Sequence, residues 1–379
     1  MDLDFTEEQQ MLREMVRGVC GSYASLDVVR EMEDDPVGYP ADLWDQLTEL
    51  GLTGLMIPTS YGGSGMSMLD AAIVYEELGR ALAPSPHFVS SVMAARVLEI
   101  AGDDDQRSRW LPEIAGGRTV FTTAWLEPGS GFSALGVQLQ AAPDGDDFIL
   151  SGTKFHVPFA KAADRIVVLA RTGSEADAVD LFIVDPASPG VSLEQQKTIS
   201  SDTQYRVDLR EVRVSATDRI GSASTGWSTW NTAMYDGAIL LAAYAMGGAR
   251  YSHEITTQYA KDREQFDKPL GAFQALAHYL ADGITEIDGG TTLVYEAAWA
   301  RSEGKPVERL APMAKLFACQ VFRDVTATGQ QIFGGIGFTV EYDIQLYFRR
   351  AKQLQISWWD TRHLEELVAA SVLDAVPTA

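Results

Sequence analysis

Apolar residues recur every three to four positions in the first third of the chain, alternate with polar ones in the middle, and return to helical spacing in the last part. The first stretch predicts helices. Thr6 and Gln9 form a capping-box start for TEEQQMLREMVRGVCGSYA. PADLWDQLTELG runs from Pro40 to Gly51, the favoured placement of these two residues around a helix. The Gly-rich GLMIPTSYGGSGMS reads as a loop, and SMLDAAIVYEELGRALA resumes the helical period. From Thr119 the texture changes. VFTTAWLEP, GVQLQAAP, DDFILSGTKFHV, DRIVVLART, AVDLFIVDP and YRVDLREVRV are short, alternating or β-branched, and are separated by Gly, Pro and Asp turns. Such a series predicts a small antiparallel barrel or sandwich.

Beyond Gly226 three long helical stretches follow: AILLAAYAMGGARYSHEITTQYAKDREQF, LGAFQALAHYLADGITEIDGGTTLVYEAAWARSEG and RLAPMAKLFACQVFRDVTATGQQIFGG. The first carries Ala242, Ala245, Gly248 and Ala249 on one stripe, which suits close helix approach. Long amphipathic helices in succession predict a bundle. The expected fold is therefore α+β and multidomain: an N-terminal helical domain (1–117), a central antiparallel β-barrel or sandwich (118–225) and a C-terminal four-helix bundle (226–379).

Composition narrows the function. The 379 residues are 46% hydrophobic, enough for a sizeable core, and carry a formal charge of −23. That charge speaks against nucleic acid as a partner. Two cysteines, Cys20 and Cys319, make no disulfide framework, and MDLDFTEEQQ lacks a basic-then-apolar leader, so the expected location is cytoplasmic. No apolar run reaches the roughly 18 residues of a membrane span. The five histidines are scattered without ligand spacing, so no metal site is expected.

Four fragments carry chemistry. Arg263, in YAKDREQFDKPLGAFQALAHYLAD, can grip a pyrophosphate in bidentate fashion, or be a solvated charge. Phe266 can stack on a ring. Gln274 and Gln331 offer paired donor and acceptor groups for an adenine edge or for hydroxyls, or are satisfied within their helices. Gly334, Gly335 and Gly337, in QIFGGIGFTVEYDIQLYFRRAK, admit backbone N–H groups close to a phosphate, or form a helix C-cap and turn. WLEPGSG (125–131) and LSGTKFHVPFAKAADRIVVLAR (150–171) complete the set.

In this order, within an α–β–α layout, the four fragments resemble the acyl-CoA dehydrogenase family over essentially the whole chain. The resemblance implies FAD as cofactor and an acyl-CoA as substrate, desaturated by α-proton abstraction and β-hydride transfer. It further implies an acceptor such as an electron-transfer flavoprotein. Homodimers, homotetramers or heterotetramers with a second similar chain are expected. It places Trp125, Leu126 and Gly131 along the flavin, His156 and Pro158 beside it, and Arg263, Phe266, Gln274, Gln331, Gly334, Gly335 and Thr361 among the cofactor contacts. The family's base, a glutamate, is missing at both positions where members carry it. Asp236 and Asp360 each stand one residue away and are the candidate bases. Phe132 and Asp267 also depart from the pattern, the latter bringing negative charge towards the expected pyrophosphate.

The segment LQISWWDTRH (354–363) has two readings. Asp360 is a base, or Asp360 or Thr361 caps the last helix, RHLEELVAASVL. Trp358 and Trp359 are expected to narrow or fill an acyl pocket. Two alternatives accompany a self-sufficient dehydrogenase: a structural or cofactor-sharing subunit of a heteromeric enzyme, and a flavin oxidase or monooxygenase on the same fold.

Overall fold

A computed structural model describes residues 5–374. Its helices in chain order are α1 (Glu7–Tyr23), α2 (Leu26–Glu31), α3 (Ala41–Glu49), α4 (Met68–Arg80), a π-helix (Phe88–Ala94) that runs into α5 (Ala95–Ala101), and α6 (Asp104–Ala115). Eight strands follow: β1 (Phe121–Ala124), β2 (Gln140–Asp144), β3 (Asp147–Pro158), β4 (Arg165–Arg171), β5 (Val179–Val184), β6 (Val191–Gln196), β7 (Gln204–Val214) and β8 (Arg219–Ile220). The long α7 (Gly226–Asp262) leads to a short hairpin of β9 (Glu264–Gln265) and β10 (Lys268–Pro269). Last come α8 (Gln274–Ser302), α9 (Leu310–Phe333), α10 (Ile344–Ile356) and α11 (Thr361–Leu373).

The chain divides into two compact units, with α7 passing from one to the other at Gly237–Ala238. One unit holds Arg30–Met66 and Pro84–Gly237. Its centre is a sheet of strand order β6-β7-β3-β2-β4-β5-β8, with β1 attached to β4. Most neighbours are antiparallel, as the turn-separated runs predict. The exceptions are β1 on β4 and the single β2–β4 contact, which are parallel. Strand β4 is buried almost throughout, so its run IVVLA is continuous rather than alternating. The core gathers Leu150, Val157, Ile166, Val168, Phe182, Tyr205 and Val207. Two irregularities bend β3, one at Leu150–Gly152 and one at Lys154–Val157. At the first, a Cβ on Gly152 would come within 2.8 Å of Leu139.

The other unit holds the chain through Val29, Ser67–Ala83, and the chain from Ala238 on. Here α1 packs on α4, α4 on α8, and α9 on α8, α10 and α11. The Thr6–Gln9 capping box is present. The small-residue stripe of α7 serves close approach: a Cβ on Gly248 would lie 2.5 Å from the Phe322 ring, and one on Gly247 would lie 1.8 Å from the Glu76 carbonyl. Arg17 forks onto Glu77 at 2.8 and 2.7 Å, and Glu76 accepts from Arg13 and the Tyr295 hydroxyl. Among the described residues no helix is long and apolar enough to cross a membrane.

Candidate active site

The sheet-bearing unit contains the WLEPGSG loop, which leaves the end of β1. The loop is pinned from beneath by a fully buried lysine. Lys154 Nζ lies 2.7 Å from Glu127 Oε1 and 3.4 Å from the Trp125 carbonyl. Glu127 in turn accepts the amides of Gln138 and Leu139 at 2.9 and 3.0 Å. Burial pushes the Lys154 ammonium down to about 8, against the opposing pull of Glu127. The Leu126 carbonyl accepts from Phe155 N–H at 2.9 Å. The Trp125 ring packs on Trp230 and Phe132, at centroid distances of 5.5 and 5.7 Å. Gly131 has open space where a Cβ would stand.

His156 sits in the second irregularity of β3, exposed and left-handed at φ 54°. Its amide donates to Gln196 at 2.8 Å, and its Nδ1 lies 3.1 Å from Gln204 Oε1. Pro158 is buried, and its carbonyl accepts from the Thr122 hydroxyl.

Asp236 occupies the same unit, 2% exposed on α7. The arginine that the sequence lacks beside it arrives from another helix: Arg96 Nε is 2.8 Å from Asp236 Oδ2, within ion-pair range but off the hydrogen-bond axis. Arg96 Nη1 also donates to Glu99 at 2.8 Å. The neighbouring Gly237 abuts apolar side chains, since a Cβ there would reach Met93 Sδ at 2.7 Å and the Phe88 ring at 3.1 Å.

The helical unit carries the remaining candidates in two groups. The first lies where α7 and α9 end. Tyr259 and Phe333 stack at 4.2 Å and join the two ends, so Arg263 after α7 and Gln331, Gly334 and Gly335 at the close of α9 fall near one another. Arg263, Gln331 and Gly335 are exposed. Gly334 has φ 67°, and neither glycine meets an atom within 4 Å of a built Cβ. Phe266, 86% exposed, and Asp267 form the left-handed turn of the β9–β10 hairpin. Lys268 from the same hairpin rests 4.1 Å over the Phe273 ring, next to the exposed Gln274 that opens α8.

The second group is the tryptophan segment, and it is irregular. Trp358 and Trp359 are both left-handed, at φ 53° and 71°. Between α10 and α11 the chain is held by Lys315, fully buried on α9. Its ammonium donates to the carbonyls of Leu354 (3.1 Å), Ser357 (3.0 Å) and Trp359 (2.9 Å), using all three of its protons. Burial lowers the Lys315 pKa, opposed by Cys319 and Asp360. Asp360 is the N-cap of α11, its Oδ1 accepting from His363 N–H at 2.9 Å. Thr361 is the first helical residue, and its hydroxyl accepts from Gln355 at 3.3 Å. Trp359 is wholly buried, so it is core here, whereas Trp358 is half-buried.

Sequence reasoning overlooked Lys154, Glu127, Lys315 and Arg96. A signal existed for Lys315, which shares the helical stripe of Ala311, Ala314, Ala318 and Phe322. Nothing local marked Arg96 as the partner of Asp236. Each unit by itself offers groups of a kind that suits part of a flavin dinucleotide: an exposed guanidinium near an open glycine turn in one, and a braced loop with backbone space at Gly131 in the other.

Family models cover the chain in three parts. The N-terminal, middle and C-terminal domains of acyl-CoA dehydrogenase match residues 6–118, 122–212 and 224–359. Acyl-CoA dehydrogenase IpdE2 of Mycolicibacterium smegmatis is 30% identical over 91% of this chain and 93% of its own. The solved butyryl-CoA dehydrogenase from Megasphaera elsdenii superposes with a TM-score of 0.91 at 28% identity, over 98% of this chain and 100% of that one. A chain of the ChsE4–ChsE5 complex from Mycobacterium tuberculosis does so at 0.90 and 27%, over 100% of both.

Proposed function

The chain belongs to the acyl-CoA dehydrogenase family, flavin oxidoreductases acting on CH–CH donors, and on that premise we propose that it desaturates an acyl-CoA thioester between Cα and Cβ with FAD. When bound, FAD supplies the hydride acceptor for the β-hydrogen. Arg263, Gln331, Gly334 and Gly335 would reach the phosphates of the flavin on a second copy of the chain, across a dimer interface, with Phe266, Gln274 and Thr361 also among the cofactor contacts. Trp125, Leu126 and Gly131 would hold the ring edge of the chain's own flavin, with His156 and Pro158 flanking it. Lys154 and Glu127 keep the Trp125–Gly131 loop in place for that contact.

Asp236 is the proposed base for the α-proton. The observation that carries this choice is the contrast between the two carboxylates. Asp360 is committed to capping α11, while Asp236 is buried among apolar side chains with a guanidinium alongside. A buried site excludes water from the carboxylate, and Arg96 fixes its orientation. Electrons leave to an acceptor such as an electron-transfer flavoprotein. The test is Asp236→Asn beside Asp360→Ala, assayed with an acyl-CoA and an artificial acceptor. Positioned acid–base groups contribute roughly 10²–10⁴-fold, so Asp236→Asn should lose activity on that scale with flavin content unchanged, and Asp360→Ala should lose about 1 kcal/mol of stability instead. Full activity in Asp236→Asn would refute the assignment.

A second reading is favoured by two observations: Arg96 already engages Asp236, and the similar ChsE4–ChsE5 is a complex. In it the chain is the cofactor-sharing subunit of a heteromeric dehydrogenase. Purification alone, with flavin content and particle mass, separates the two readings.

A further inference from the structure

The elements around Asp236 hold two buried hydroxyls that the protein leaves unpaired. Ser91 Oγ, in the π-helix, and Thr123 Oγ1, in β1, find no hydrogen-bond partner among the described residues, although the two residues are only 4% and 1% exposed. Burying a hydroxyl unpaired is unfavourable, and such atoms are rare in native cores.

They stand on two elements that touch. Along β1 the odd residues face the unit's helices, because Phe121 packs on Trp110 of α6 at 5.4 Å and Trp125 packs on Trp230 of α7 at 5.5 Å. Thr123 stands between them on that same face. Thr122 points the other way, to the Pro158 carbonyl. The π-helix is docked on β1 by the Phe121 amide, which donates to Ser90 Oγ at 3.0 Å. The same π-helix meets α7 at Gly237, whose bare Cα accommodates Phe88 and Met93. Just beyond the π-helix, Arg96 reaches Asp236 and still has N–H groups to offer. A π-helix is itself an uncommon element that concentrates at functional sites.

We infer that Ser91 and Thr123 are specificity residues for an acyl-CoA whose acyl group carries a hydroxyl or oxo substituent, which they and Arg96 hydrogen-bond. This rests on the desaturase reading with Asp236 at the reacting carbons. A site built to hydrogen-bond a substrate hydroxyl discriminates far more strongly than an apolar pocket, since the unsubstituted analogue leaves buried polar groups unpaired.

The experiment uses the FAD-loaded protein and a matched series of CoA thioesters. Saturated six- to eight-carbon acyl-CoAs are compared with versions bearing one hydroxyl or oxo group at each carbon from C4 outward. Dissociation constants come from calorimetry. The inference expects at least one substituted thioester to bind tenfold or more tighter than its parent. It expects that ratio to fall below threefold in Ser91→Ala and Thr123→Val, and the melting temperature of ligand-free Thr123→Val to rise. That rise comes because an unpaired buried hydroxyl has been replaced by a methyl of the same shape. Unsubstituted thioesters binding as tightly as every substituted one would overturn the inference alone, as would a preference that survives both substitutions. No binding of any CoA thioester would instead overturn the desaturase reading on which it stands.

Discussion

Replacing Lys154 with methionine should change both the stability of the protein and its dependence on alkaline pH. The ammonium is fully buried, with Glu127 Oε1 at 2.7 Å and the Trp125 carbonyl at 3.4 Å. Removing it strands a carboxylate that is 7% exposed and keeps only the Gln138 and Leu139 amides as donors. Breaking a buried ion pair from one side costs about 3–5 kcal/mol. The pH effect has a definite sign. The Lys154 pKa is about 8 in the fold, against the ordinary lysine value of 10.5. Between those values the unfolded chain binds the extra proton, so this lysine makes stability rise with pH across that window. The shift corresponds to at most about 3 kcal/mol. The assay is urea unfolding from pH 7 to 10.5 for the wild type, Lys154→Met and the double variant Lys154→Met/Glu127→Leu. The difference between wild type and Lys154→Met cancels the tyrosines and cysteines that titrate in the same range. It should widen with pH, and the double variant should recover much of the loss because both charges are gone. A difference that stays flat across the window would refute the reasoning.

Other outcomes follow from the same contacts. His87 is buried with Nε2 2.8 Å from the Leu52 carbonyl, and burial lowers its pKa from 6.5 to about 4. The folded state therefore keeps it neutral, and stability should fall by up to about 3 kcal/mol as pH drops from 6.5 to 4. His87→Gln should flatten that part of the acid-denaturation profile, which a pH titration followed by circular dichroism would show. Lys315→Met leaves three buried carbonyls without their donor and should cost several kcal/mol, about 1–3 for each unpaired group. Near-UV circular dichroism should report looser Trp358 and Trp359. Arg263→Ala should leave the melting temperature nearly unchanged, because the side chain is exposed, yet weaken FAD retention on gel filtration about tenfold or more, the worth of a charged phosphate contact.

Much of the fold is written locally. Thr6 with Gln9 specifies the first cap, Gly51 closes the turn after α3, and the β-branched runs between Asp- and Gly-rich turns specify the strands. The parallel pairing of β1 with β4 was not legible, because β1 is four residues long and its neighbour is chosen by tertiary packing. Strand β6, with its polar VSLEQQ, carries too weak a pattern to declare itself. For the candidate site, glycines and an arginine in family order single out Arg263, Gln331, Gly334 and Gly335 as the expected phosphate contacts. The state of the carboxylates could not be read that way. Asp360 precedes a helix in the sequence, but whether its oxygen accepts from His363 N–H depends on two left-handed tryptophans held by Lys315 on another helix. Asp236 takes its arginine from a distant helix for the same kind of reason. Buried lysines look like surface lysines until their stripe is placed against a neighbour, as Lys154 and Lys315 show.

The most direct measurement is anaerobic mixing of the protein, purified by itself, with an acyl-CoA while the visible flavin absorbance is followed, for wild type and Asp236→Asn. The account predicts close to one oxidised flavin per chain, bleaching in the wild type, and bleaching slowed at least a hundredfold in the variant, the lower range of a positioned base. A colourless protein, or bleaching that Asp236→Asn leaves untouched, would contradict it.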